Sequence, residues 1–198
     1  MTRRLPVIPT ILVGLAVAAM IALGVWQLAV RLPEKQAELA LLARNPTLPA
    51  IAFPGRADDA LLFRRTTLDC HAPVTIASAG AGGAGYRLIA TCAGGELVQL
   101  GTTRNPKLTI RWDGGLVSGR LSHAPDARPL IATLFDREPK TLLLVAETPP
   151  VGLTANGTPD WRSVPNNHLS YAVQWFLFAG IALVIYGLAL RRRTTPSS

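Results

Sequence analysis

The sequence predicts a membrane α-helical hairpin, two transmembrane helices around a central extracytoplasmic β-rich domain built as an antiparallel sheet or small barrel. Three observations predict it. Residues 8–30 and 169–190 are apolar runs without a single charged side chain, and about 20 such residues suffice to cross a hydrocarbon core about 30 Å thick. Arginines sit just outside both runs, Arg3 and Arg4 before the first and Arg191, Arg192 and Arg193 after the second. Between the runs, residues 51–150 break into short apolar stretches separated by Gly, Pro and Asp, the texture of regularly spaced strands and turns. The expected organisation is a first transmembrane helix at 8–30, a helical extension at 31–45, the β-rich domain at 46–165, a second transmembrane helix at 166–190 and a basic cytoplasmic tail at 191–198.

The first run has a competing reading as a cleaved signal peptide, since its amino end is basic and Ala16-Val17-Ala18 resembles a cleavage site. A signal core is usually about 7–15 residues. This one continues well past Ala18, so a retained helix is expected. The next segment, 31–44, has Ala, Glu and Leu in helical proportion, with Pro33 suited to a helix start. It reads as an extension of the membrane helix kinked at Pro33 and ended by Asn45-Pro46 and Pro49.

Six strands are expected in the central domain, at 61–68, 74–78, 86–92, 96–100, 116–121 and 142–147. The Gly/Ala-rich stretch 79–85 precedes a strand and lacks a Lys-Ser/Thr ending, so it is a loop and not a phosphate cradle. Residues 128–138 read as a short helix or irregular connection, 155–165 as a polar return linker and 194–198 as a disordered tail.

Lys and Arg near span ends set orientation. The five flanking arginines place both termini in the cytoplasm and the central domain in the periplasm or an equivalent compartment, with the chain multi-pass in the cell inner (plasma) membrane. The segment 31–168 holds fifteen basic and twelve acidic residues, and its length lets it translocate largely regardless of charge. The formal net charge of +8 is therefore in large part topological, and nucleic acid is not an expected partner; membrane lipid is.

Cys70 and Cys92 both fall in the exported domain. An oxidising compartment permits a disulfide, and two buried free thiols are the alternative. His71 next to Cys70 suggests a Cys-His-Cys metal site, but a fourth ligand at recognisable spacing is missing. Neither Gly-x-Ser-x-Gly nor His-Glu-x-x-His occurs, and no enzymatic activity is expected.

The informative side chains lie where the helices meet the outer membrane face. Trp26 and Gln27 end the first span, and His168, Tyr171, Gln174 and Trp175 begin the second. In an antiparallel pair these stretches share a depth. Trp belongs to the interfacial belt, whereas Gln in an apolar layer seeks a partner, so a Gln27–Gln174 contact is expected. Gly14, Ala18 and Ala22, with Ala172, Ala179, Gly180 and Gly187, offer small surfaces for close helix packing. His168, following a cap at Asn166 or Asn167, shares a face with Tyr171, Ala172 and Trp175 by spacing. A neutral imidazole on such a surface can serve as an axial ligand to haem iron, or simply hydrogen-bond headgroups and cap residues.

Two stretches resemble the Surfeit locus protein 1 family, assembly factors for cytochrome c oxidase. One is Leu23-Gly24-Val25-Trp26-Gln27-Leu28 followed by Arg31. The other is the run from Pro165 through Asn167-His168-Leu169-Ser170-Tyr171-Ala172-Val173-Gln174-Trp175 to Phe176. The two-helix plan also fits, and Gly85-Tyr86-Arg87 and Val98-Gln99-Leu100-Gly101 stand roughly where the family has its Gly-Tyr and Arg-Gly-Trp elements. Leu100 and Thr102 replace that Arg and Trp, marking a divergent member. The resemblance implies a biogenesis factor that binds haem a in the membrane and assists its delivery to the catalytic subunit of a haem-copper oxidase, with haem a synthase as a second candidate partner. It maps the haem-ligating His onto His168, with Tyr171, Trp175 and Trp26 packing the macrocycle and Arg31 or Arg162 pairing with propionates. A cofactor-free adaptor that stabilises an oxidase assembly intermediate is the alternative.

Overall fold

The structure, a computed structural model, describes residues 6–126 and 140–194. The expected connection at 128–138 lies outside the described residues, as do Arg3, Arg4 and the tail beyond Thr194. The chain forms two compact units, Met1–Glu38 with Pro165–Ser198, and Leu39–Val164.

The first unit is the hairpin. Helix α1 runs Val7–Trp26 and passes into a π-helical turn at Gln27–Arg31, which leads into α2 at Leu32–Arg44. Two helical stretches, the one containing α1 and the one containing α3 (His168–Thr194), are long and apolar enough to cross a membrane. The expected kink is realised as the π-turn. Pro33 has no N–H to give Ala29 in an α-helical pattern and its ring crowds that carbonyl; here the Leu32 N–H reaches back five residues to the Gln27 carbonyl instead. Helix α3 continues through the arginines that were expected to open the tail.

Between Thr10 and Gln27 the covered positions are Thr10, Val13, Val17, Met20, Gly24 and Gln27, and between His168 and Tyr186 they are His168, Ala172, Trp175, Ala179, Ala182 and Tyr186. Both sets advance in alternating steps of three and four, the seam of a left-handed helix pair. At Gly24 an added Cβ would stand 2.8 Å from the Phe176 ring. At the other end Tyr186 OH donates to Thr10 Oγ1 across 2.5 Å, while that hydroxyl donates to the Pro6 carbonyl. Ala172 and Ala179 are buried as expected, but Gly14, Ala18, Ala22, Gly180 and Gly187 are exposed. Gly14 and Ala18 each follow a seam residue, Val13 and Val17, by one position, about 100° around the helix, so that stripe lies off the seam.

The second unit carries a seven-stranded sheet in the order β1-β2-β6-β7-β5-β4-β3. Its strands are β1 (Ile51–Ala52), β2 (Arg65–Cys70), β3 (Thr75–Gly80), β4 (Tyr86–Thr91), β5 (Leu97–Thr103), β6 (Gly115–His123) and β7 (Leu142–Ala146). Each of the six expected strands overlaps an observed one, but that expected at 61–68 begins only at Arg65, since Asp59–Leu61 is a 3-10 turn and Phe63 has a φ of 67°, and β1 is an addition too short to carry a pattern. Most neighbours are antiparallel, but β1–β2 and β5–β7 are parallel, and the sheet is not closed into a barrel. Every residue of β7 is buried. An uninterrupted apolar run such as Leu142-Leu143-Leu144-Val145 marks a strand covered on both faces, which its central place explains. One core gathers Leu68, Ala90, Val98, Leu100 and Leu144 around the Cys70–Cys92 disulfide. A second joins Leu42 of α2 to Leu62, Phe63 and Leu142.

Candidate functional site

The site lies in the hairpin unit, where the end of α1 meets the start of α3. The Asn167 carbonyl accepts from the Tyr171 N–H at 3.0 Å and so begins α3, which puts His168 in the first turn on the seam side. Facing it is Gln27, the first residue of the π-turn. His168 Nδ1 stands 2.8 Å from Gln27 Oε1. A carbonyl oxygen only accepts, so with Oε1 in contact Nδ1 carries the proton. In the neutral imidazole that bond leaves the lone pair on Nε2.

This contact replaces the expected Gln27–Gln174 pair. Gln174 is exposed, because six helical residues turn its side chain about 240° from that of His168. No sequence pattern distinguished the two partners; the seam had to be known first.

The other expected site residues separate into two groups. Trp175 shares the seam with His168 and meets Phe178 edge to face, ring centroids 6.3 Å apart. Tyr171 and Trp26 lie off the seam, 48% and 46% exposed. Seven residues return a side chain to nearly the same direction on a helix and three leave it about 60° away, which is why Trp175 stays with His168 and Tyr171 does not. The Arg31 guanidinium lies 5.7 Å from the Trp26 ring centroid and pairs with Glu34 at 2.8 Å. Arg162, in the other unit, pairs with Asp160 at 3.5 Å and covers Trp161. Asn166, two residues before His168, has a buried Oδ1 without a hydrogen-bond partner among the described residues.

Chemically, the arrangement offers one half-buried imidazole engaged through Nδ1, a neutral carboxamide behind it and aromatic surface beside it. Among the described residues no group of three or more His, Cys, Asp or Glu could hold a metal ion. The imagined Cys-His-Cys site is excluded on its own terms, since Cys70 and Cys92 are bonded to each other and His71 is an exposed residue facing Asp69 at 3.8 Å. A single imidazole beside aromatic side chains does not make a closed structural metal site.

Compared with protein-family models, residues 14–180 match the one described as the SURF1 family. No curated protein matches, and no solved structure matches.

Proposed function

Because the chain belongs to the SURF1 family, whose members are associated with cytochrome c oxidase assembly, we propose that it is a non-enzymatic biogenesis factor that takes haem a as cargo in the membrane and passes it to the oxidase catalytic subunit. The observation that carries this reading is the Gln27–His168 contact. It leaves Nε2 of His168 as the coordinating atom, on a helix pair long enough to sit in the bilayer. Trp175 gives aromatic surface on the same seam, and Trp26 and Tyr171 give it on the outward side. A carrier must also let go, and a cargo held through His168 alone would be released readily. Both termini are placed in the cytoplasm and the sheet domain on the periplasmic side of the inner membrane, from the flanking arginines.

The test is the visible spectrum of the detergent-purified full chain after co-expression with haem a synthesis. A Soret band in the wild type that is lost in His168→Ala is the expected result. A wild-type chain without the band, in cells whose oxidase assembly still depends on it, would overturn haem handling in favour of an adaptor role. For orientation, an alkaline phosphatase fusion at Ala155 is expected to be active and one at Thr194 inactive; the reverse pattern would refute the placement.

A further inference from the structure

We propose that Gln27 is a positioning residue that fixes the tautomer of His168 and sets how firmly that imidazole can hold a ligand, so that the hairpin is tuned for release and not for retention. The inference rests on the haem-carrying reading above, but its first part concerns the ligand-free protein and stands without it.

Three observations lead there. Gln27 Oε1 is 2.8 Å from His168 Nδ1, a full hydrogen bond between the two helices. Gln27 also opens the π-turn, its own carbonyl taking the Leu32 N–H, and π-turns inside α-helices concentrate at functional sites. Finally, the carboxylates nearest in sequence are engaged elsewhere on their own helix. Glu34 pairs with Arg31 at 2.8 Å and Glu38 with Lys35 at 2.6 Å.

The chemistry follows from the partner's charge. A ligating His commonly gives its other ring N–H to a carboxylate, backbone carbonyl or water, which orients the ring and raises its basicity. Charge-assisted bonds are roughly twice as strong as neutral ones. A carboxamide therefore supplies the orientation of a carboxylate with less electron push onto Nε2. Orientation lets the site pick up its ligand, and the weaker push lets the site give it up.

Gln27→Leu and Gln27→Glu, made in the full chain in detergent, test this at two levels. Without haem, 15N spectra of histidine-labelled protein report which ring nitrogen carries the proton. The wild type is expected to show His168 protonated at Nδ1, and Gln27→Leu a mixture of tautomers. An unchanged tautomer in Gln27→Leu would overturn the positioning role whether or not haem a binds. With haem a loaded by co-expression, transfer to excess apomyoglobin is followed in the Soret region. Gln27→Leu is expected to lose haem about 10–100-fold faster, the usual effect of removing a ligand's outer partner. Gln27→Glu, nearly the same shape, is expected to release more slowly and to lower the haem midpoint potential. A wild type that loads haem, with both variants matching its rate and potential, would overturn the tuning while leaving the haem reading intact. A wild type that never loads would refute the haem reading and with it the tuning.

Discussion

Cys70, at the end of β2, and Cys92, just past β4, are bonded to each other although β6, β7 and β5 lie between those two strands in the sheet. Their Cα atoms are 5.3 Å apart. The sheet therefore curls until the ends of strands four places apart come together, and the disulfide closes the gap with one backbone bond beside it, Ala93 N–H to the His71 carbonyl at 3.0 Å.

Replacing both cysteines by alanine should loosen this clasp. The crosslink joins positions 22 residues apart, for which loop-closure entropy gives about 3 kcal/mol. Chemical denaturation of the detergent-solubilised chain, read by tryptophan fluorescence, is expected to show a lower midpoint for the double variant. The wild type under reducing conditions should approach the same value. A midpoint that moves in neither case would mean that the curl is held by packing alone.

Asn156 is predicted to hold the return segment on the sheet. Its Nδ2 donates to the Gln99 and Ala146 carbonyls, both at 3.0 Å, and its Oδ1 accepts from Gln99 Nε2 at 2.7 Å. One side chain thus ties β5 to the end of their parallel neighbour β7. Asn156→Leu removes all three bonds at a cost of about 1–3 kcal/mol per buried group left unpaired. Asn156→Asp keeps the acceptor but turns a carboxylate oxygen toward two carbonyls, and it should be no less damaging. Thermal unfolding of the two variants against the wild type gives the order.

Asn45 has a parallel role at the end of α2. It is 6% exposed, and its Nδ2 donates to the carbonyls of Ala60 and Leu62 at 2.7 and 2.8 Å. Asn45→Ala is expected to destabilise by about 1–3 kcal/mol and to raise hydrogen exchange at residues 59–64. Exchange there equal to the wild type would show that water replaces the amide without loss.

The strands were legible because their pattern is local: Leu142-Leu143-Leu144-Val145 and Leu97-Val98-Gln99-Leu100 announce themselves by composition. Their order was not, since the placing of β7 between β6 and β5 depends on contacts distant in sequence. The disulfide was one of two open options, and geometry decided it. At the site, His168 and the depth shared with Gln27 could be read from span ends. Its pairing could not, because whether His168 or Gln174 meets Gln27 depends on which face of α3 forms the seam. The same ignorance of the seam put Gly14, Ala18 and Ala22 in the interface. Pro33 signalled an irregular turn, but not that the π-turn would begin at Gln27 itself.

The seam makes one further demand that separates packing from composition. Gly24 sits where an added Cβ would fall 2.8 Å from two carbons of the Phe176 ring, closer than side chains tolerate. Gly24→Ala should therefore force the ring or the helix aside at a cost of about 1–3 kcal/mol, despite alanine's better helix propensity. Phe176→Ala alone removes a ring that is 37% exposed and should cost less than a fully buried phenylalanine. The double variant is the decisive measurement, since residues in contact couple and distant ones add. If Gly24 is there to admit Phe176, the double variant should be more stable than the two single losses sum to. Strictly additive losses in thermal unfolding would mean that the ring yields freely, and that the Gly24 position answers to something other than Phe176.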